Sequence, residues 1–346
     1  MRGRLNYKTA DHEGFSAFVE LDYVAEVFED RYNAGGGNTP DRTQYPVVAD
    51  PDGEDLNQAF LQYKRGKSQF RAGRQRIIFD NARFVGNVGW RQNPQTYDAL
   101  SWAYQAGEHG NFTYAYVGNV NRIFGDDVPA GDHEHSTHLL NYSRSFEGAG
   151  KFSLYWYDID NEDAPGLSNR TLGARFSGSA RSGDTQLGYT FEYASQDDAG
   201  DNPVPYSADY YRADFSVGNG GTTYYAGFES LSGNSMLPGQ AFRTPLATLH
   251  AFNGWADKFL GTPAAGLEDA FAGVKGKTGA WSWNVLYHKF TAESGPADFG
   301  SEIDASLSRG FGGKYGLLFK LADFNSDSPA YGDTYKLWVQ FTANIR

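Results

Sequence analysis

The chain has 346 residues, with 42 Gly, 23 Tyr, 25 Phe and 7 Trp, no cysteine, and a formal net charge of −12. The missing cysteine excludes a disulfide framework, a thiolate nucleophile and Cys-ligated zinc, and the acidic balance speaks against charge-driven binding of nucleic acid. No run approaches the ~20 apolar residues that a membrane helix needs, and Met1-Arg2-Gly3-Arg4 does not resemble a secretory signal.

From the N-terminus onward the chain alternates apolar and polar residues with period two, the mark of strands whose two faces meet different media. In chain order, candidate strands begin near Gly3, Phe15, Leu56, Ser68, Tyr97, Asn111, Ser136, Lys151, Ser168, Thr185, Ser207, Thr222, Leu267, Ala280, Ser301, Lys314 and Thr334. That makes roughly 17 strands of about 8 to 14 residues. The pattern is clean where Leu187, Tyr189, Phe191 and Tyr193 interleave with Gln186, Gly188, Thr190 and Glu192. It recurs where Tyr335, Leu337, Val339 and Phe341 interleave with Lys336, Gln340 and Thr342.

The connections alternate in length. Short turns such as Arg65-Gly66-Lys67 and Ser182-Gly183-Asp184 trade places with long polar stretches at 29–54, 79–96, 119–134, 160–168, 196–205 and 232–265. Short periplasmic turns and long extracellular loops are the rhythm of an outer-membrane barrel, whereas a sandwich with Greek-key crossings would not keep it. Aromatic residues near strand ends, among them Tyr104, Trp156, Tyr224 and Trp281, suit the interfacial girdles. The expected fold is therefore all-β: a transmembrane antiparallel barrel, one domain over residues 1–346. The first turn is of the short kind and the last strand follows a long connection, so both end strands run toward the periplasm and Arg346 would end there. An odd count cannot close antiparallel, which leads to the expectation of one further strand and a signal peptide upstream of Met1, the alternative being a strand count off by one. The terminal Thr342-Ala343-Asn344-Ile345-Arg346 also lacks the final aromatic residue usual in bacterial barrels.

Several longer motifs carry a resemblance. Thr43-Gln44-Tyr45-Pro46-Val47-Val48-Ala49-Asp50-Pro51, Gly73-Arg74-Gln75-Arg76-Ile77, Phe84-Val85-Gly86-Asn87-Val88-Gly89-Trp90-Arg91-Gln92-Asn93, Asn119-Val120-Asn121-Arg122-Ile123-Phe124-Gly125 and the run from Thr244 to Phe259 resemble the alginate-export family of Gram-negative outer-membrane channels. The resemblance spans most of the chain. It implies a monomeric barrel of about 18 strands, inserted in outer-membrane lipid by the barrel-assembly machinery. It also implies a lumen lined with arginines and crossed by an inward-folded loop. The permeant implied is an anionic saccharide such as alginate, although many relatives occur in bacteria that make no alginate.

On the polar face the alternation places Arg4, Lys8, Lys64, Arg71, Arg175, Arg212, Lys275, Lys320 and Lys336, together with Glu20, Asp22, Glu192, Asp214, Asp269, Glu302 and Asp304. A guanidinium offers a carboxylate a planar fork of donors, so spaced arginines provide successive weak sites for an anion. The same arginines could instead pair with lumen carboxylates and brace the wall. Arg74 and Arg76 share the nominally lipid-facing parity of Phe70. Because a mid-membrane arginine facing lipid costs roughly 2–4 kcal/mol, they call for a bulge that turns them inward or a position above the membrane. Segments 79–96 and 232–265 are long and rich in aromatic and apolar residues, which makes them candidates for inward-folded constrictions. There Arg83, Arg91, Arg243 and Lys258 would face the permeant; packing as an extracellular cap is the alternative.

No cofactor is expected. His133 and His135 share a strand face but match no zinc-protease spacing, and a rim loop is their expected place. Asp158 and Asp160 are weak Ca²⁺ candidates without the EF-hand glycine or spacing. The leading function is a passive channel for an anionic oligo- or polysaccharide. An uptake porin for small organic acids or other nutrients is the alternative within that class. A barrel enzyme of the lipase or protease type is the rival of another class, resting only on His288 and Ser282 in one strand.

Overall fold

The computed structural model describes residues 1–27 and 31–345. Its long elements are all strands: β1 (Arg2–Lys8), β2 (Phe15–Val24), β3 (Gly53–Arg65), β4 (Ser68–Gln75), β5 (Thr96–Ala106), β6 (Gly110–Asn121), β7 (Asp132–Phe146), β8 (Gly150–Ile159) and β9 (Asn169–Ser182). They continue as β10 (Thr185–Asp198), β11 (Ser207–Asn219), β12 (Thr222–Leu231), β13 (Leu267–Thr278), β14 (Trp281–Thr291), β15 (Asp298–Phe311), β16 (Tyr315–Ser326) and β17 (Thr334–Ala343). The 17 strands form one sheet. The largest displacement from the expected starts is at β7, which begins at Asp132 rather than near Ser136.

Each strand pairs antiparallel with the next in the chain, from β1–β2 to β16–β17. Connections after odd-numbered strands are short and those after even-numbered strands are mostly long, although 292–297 after β14 is no longer than 9–14 after β1. The tightest turns depend on left-handed glycines, such as Gly183 (φ 59°) and Gly220 (φ 59°).

The two faces identify the solvent on each side. On β17, Tyr335, Leu337, Val339 and Phe341 are 58%, 60%, 63% and 61% exposed, while Lys336 between them is 5% exposed. Phe191 and Phe319 also point outward, at 46% and 37% exposure. Apolar side chains outside and charged ones inside invert the arrangement of a water-soluble sheet. Acyl chains are the medium that stabilises such an exterior, and a closed barrel is the sheet form that leaves no unpaired edge in lipid. The chain is an outer-membrane β-barrel.

Three irregularities interrupt the ladders among the described residues, one of them passing over Phe299 of β15 opposite Phe290 and Thr291. Opposite Glu20 and Leu21 of β2, the register skips Asn57 of β3. This bulge turns Asn57 and Gln58 inward together, and both amides donate to Glu20, at 3.0 and 3.2 Å. Another shift passes over Gly118 in β6.

β1 and β17 run in the same direction, and among the described residues no ladder joins them. Polar contacts from inner segments lie on both sides of this seam. Arg2 Nη1 donates to the carbonyls of Arg91 (3.2 Å) and Gln92 (2.9 Å), and Lys336 Nζ donates to Val47 O (2.7 Å). Residues 28–30, which include the start of the expected long stretch 29–54, and the expected periplasmic end at Arg346 lie outside the described residues.

Candidate functional site

Two long connections pack apolar side chains against inward residues of the wall. One joins β4 to β5 (76–95) and the other joins β12 to β13 (232–266). They meet in a parallel bridge between Val85 and Leu246. Gly86 N–H donates to Leu246 O and Thr248 N–H to Ala82 O, both at 2.9 Å. Phe84 sits among inward tyrosines and the second segment, its ring 5.1 Å from Tyr210, 5.2 Å from Tyr155 and 5.8 Å from Phe242. Removing these rings from water is what draws the segments inward. Asp80 anchors the first segment to the wall by accepting from Lys151 (2.9 Å), Asn141 (2.9 Å) and Ser153 (2.5 Å). Burial opposes its charge, but the bonds from Ser153, Lys151 and Asn141 hold its carboxyl below the usual range.

The second segment is pinned by charge. Asn253 (φ 54°) and Gly254 (φ 84°) form a left-handed turn against the wall. A Cβ at position 254 would collide with the Glu302 carboxylate, so only glycine lets the backbone come this close. The next two amides donate to the same pair of wall acids: Trp255 N–H to Asp304 (3.2 Å) and Ala256 N–H to Glu302 (2.6 Å). Further along, buried Asp257 accepts from Arg91 (2.8 Å) and Lys336 (2.9 Å), and its other oxygen faces His250 Nδ1 at 2.6 Å. His250 Nε2 in turn lies 2.7 Å from Lys320 Nζ.

These neighbours fix the histidine's state. A neutral imidazole donates from Nδ1 to Asp257 and accepts at Nε2 from the Lys320 ammonium. Burial lowers the His250 pKa to about 4 despite the opposing pull of Asp257. Asp257 is also buried, yet His250, Arg91 and Lys336 hold its carboxyl far below the usual range. The Lys320 ammonium completes the cluster over the rings of Trp255 (3.8 Å) and Trp90 (4.1 Å).

The remaining cations are mostly matched by acids. Arg83 pairs with Glu229 (2.8 Å) and reaches Asn253 (3.2 Å). Arg212 pairs with Asp214 (2.9 Å) and Glu229 (3.4 Å). Arg175 pairs with Glu192 (2.7 Å), which also accepts from the Tyr155 hydroxyl (3.0 Å). Arg76 reaches Glu20, because β4 ends at Gln75 and the chain curls inward beyond it. Arg74 keeps the parity opposite to Arg71 at the long-loop end of β4, neutralised by Asp98 (2.9 Å) and Asp55 (3.7 Å). Arg71 faces inward with no carboxylate partner among the described residues; its Nε donates to Gln62 (3.0 Å) and its guanidinium covers Phe60. Arg243 donates to Gly239 O (2.8 Å). Lys258 lies over Phe324.

The acids and histidines weighed as cation ligands have protein partners. Asp158 is occupied by Arg170 (3.1 Å), and Asp160 accepts from Ser168 (3.3 Å). No group of three or more metal-ligating side chains occurs among the described residues. His133 and His135 lie within β7 rather than in a rim loop, bonded to Asn161 and Thr137. Residues the alternation could not single out are Asp257, His250, Trp90 and Trp255, all in connections. The Asn253-Gly254 dipeptide was the available signal, since it marks a left-handed turn.

Three structural neighbours share the architecture at low identity. The structure of Pseudomonas aeruginosa OpdK with vanillate matches with a TM-score of 0.73 at 12% identity, covering 99% of this chain and 91% of that one. Acinetobacter baumannii OccAB4 matches at 0.73 and 14%, covering 98% and 89%. P. aeruginosa OccK2 in complex with glucuronate matches at 0.64 and 12%, covering 96% and 86%. No curated protein sequence matches. The alginate export family model matches residues 15–202, more than half of the chain, and its span takes in Arg71, Arg76, the whole of the first inward segment and Arg175. With the inverted two-faced wall and the inward segments behind it, this places the chain in the alginate-export family of Gram-negative outer-membrane channels.

Proposed function

We propose that the protein is a passive porin for small organic acids, including monosaccharide acids, rather than an exporter of alginate polymer. The observation that carries this reading is the pair of inward segments fastened to the wall by buried ion pairs. A continuous polyanion would need those pairs broken along a long stretch at once. A small carboxylate needs only one cation at a time, and such sites bind weakly enough to release their guest. Vanillate and glucuronate, the ligands in the OpdK and OccK2 structures, are acids of this size. No part of the reading needs an energy source: flow follows the gradient.

The enzyme alternative gains no support from the geometry. Ser282 and His288 both face inward on β14, but six residues of strand separate them by roughly 20 Å. His288 Nδ1 is engaged by Asp269 at 2.8 Å.

The test is permeation through refolded protein in planar bilayers and liposomes. Small carboxylates should carry current and swell liposomes, uronate oligomers should only block, and neutral sugars should lag. Equal passage of neutral sugars, or free passage of oligomers, would overturn the reading. Arg71→Glu should move the reversal potential toward cations more than Arg91→Glu, since Arg91 is already neutralised by Asp257.

A further inference from the structure

The matched cations at the level of the inward segments contrast with the lower wall. Two adjacent cross-strand rows line the inner face of β12 to β15 near the short turns. One runs Thr223–Lys275–Asn284–Ser306 and the other Lys277–Ser282–Ser308. Neither row contains an acid. The side chains are mostly small, and they leave a cleft of about 550 Å³ into which Arg181 also reaches from the end of β9. That volume suits a ligand of monosaccharide size. Asp184, in the adjoining turn, is the one carboxylate on its lining. Lys275, Lys277 and Arg181 have no ion-pair partner among the described residues. The Lys275 ammonium rests over the Tyr225 ring at 5.4 Å, and that tyrosine's hydroxyl donates to Asn284 (2.6 Å).

We infer that this periplasmic cleft is a binding station for a small polyhydroxy carboxylate, and that it sets much of the pore's preference for anions. The inference rests on the porin reading above. The chemistry is specific. Unmatched ammonium and guanidinium groups attract the carboxylate, while the flanking serine, threonine and asparagine groups suit its hydroxyls. Cations already matched by buried acids contribute little net field. The free charges sit at one end of the lumen, so the selectivity they confer depends on which side carries the dilute salt. Screening acts most strongly on charges bathed by the concentrated side.

The experiment compares wild-type protein with Lys275→Gln/Lys277→Gln in planar bilayers. Reversal potentials are read under a KCl gradient imposed in each direction, and channel block is titrated with glucuronate and with glucose. Wild-type protein should show different anion preference for the two gradient directions and block by glucuronate but not glucose. The double variant should lose the directional difference, and its glucuronate block should weaken roughly tenfold or more, as expected for loss of charged hydrogen bonds. Lys275→Arg/Lys277→Arg should keep both properties, and Lys67→Gln, in a turn outside the cleft, should change neither. A heat-modifiable gel shift checks that each variant folds. Unaltered block and unaltered directionality in the folded Gln variant would overturn the inference while leaving the porin reading intact. A wild-type channel indifferent to glucuronate would overturn both.

Discussion

The two inward segments are held by different mixtures of forces. Residues 79–86 combine shape with charge: Phe84 fills a socket of Tyr155, Tyr210 and Phe242 that salt and pH barely touch, while Asp80 and Arg83 pair with Lys151 and Glu229 of the wall. Residues 250–257 are fixed by charge: Asp257 holds two cations, His250 joins it to Lys320, and two amides rest on Glu302 and Asp304. An apolar anchor loosens gradually, whereas an ionic latch fails when one partner changes its charge, because a buried charge left alone is costly. The first segment thus has the character of a fixed wall, and the second that of a part that acid can release.

Breaking the latch outright should have the largest effect. Asp257→Asn leaves Arg91 and Lys336 buried without their shared anion, a change expected to cost about 3–5 kcal/mol. Urea unfolding of the refolded barrel should shift accordingly. If the second segment detaches before the wall unfolds, single-channel records should instead become noisy, with a larger conductance. Phe84→Ala tests the other side of the comparison. It empties an aromatic socket and should cost about 3 kcal/mol, with a loss that is the same at pH 4 and pH 8. A pH-dependent loss in Phe84→Ala would mean that the two anchors are not independent.

How far the sequence reveals this contrast follows from what each feature depends on. The strands are legible because lipid and water act on alternate residues of one short run: Tyr335 to Phe341 displays both media within seven positions. The latch is not legible, because its members are brought together by the path of a loop. Lys336 and Asp257 lie 79 positions apart, and Arg83 and Glu229 lie 146 apart. The arginine assignments fall between. Parity placed Arg175 and Arg212 on the inner face, with Asp214 two residues from Arg212 on the same strand, but Glu192 and Glu229 emerge as partners only from the cross-strand register. Parity misplaced Arg76, because nothing in the alternation marks Gln75 as the end of β4. The Asn57 bulge is hidden for the same reason, since one extra residue changes the face without changing composition.

Acid sharpens the comparison without a mutation. The folded pKa of His250 is about 4 against an ordinary 6.5, so between those values a released segment binds a proton that the latched one refuses. Latch stability is therefore full above about pH 6.5, falls as pH drops toward 4, and levels below it. Asp257, held below the carboxylate range, adds a loss of the same sign at still lower pH. Protonation would also set an Nε2–H against the Lys320 ammonium, which removes the acceptor in that bond. Conductance and noise should change on acidification below about pH 6. Trp90→Leu should raise that transition slightly and cost about 0.5–2 kcal/mol, by removing one ring from the Lys320 ammonium. A flat response down to pH 3 would dissolve the distinction between latch and wall.

The smallest effect should come from the rim, where charge pairing meets bulk water. Arg170 and Asp158 sit directly opposite across β8 and β9 and form a two-bond contact at 3.1 and 3.2 Å. In geometry this pair rivals Arg91–Asp257. Its setting is the opposite, because the Arg170 side chain is 52% exposed while that of Arg91 is 1% exposed. Solvent screens the rim pair and rehydrates whichever partner remains, so Arg170→Ala should cost less than about 1 kcal/mol and leave ion selectivity unchanged. The comparison between Arg170→Ala and Asp257→Asn thus isolates burial as the variable. Equal unfolding shifts would mean that water reaches the Asp257 cluster freely, and that the second segment is held by its backbone contacts to Glu302 and Asp304 instead.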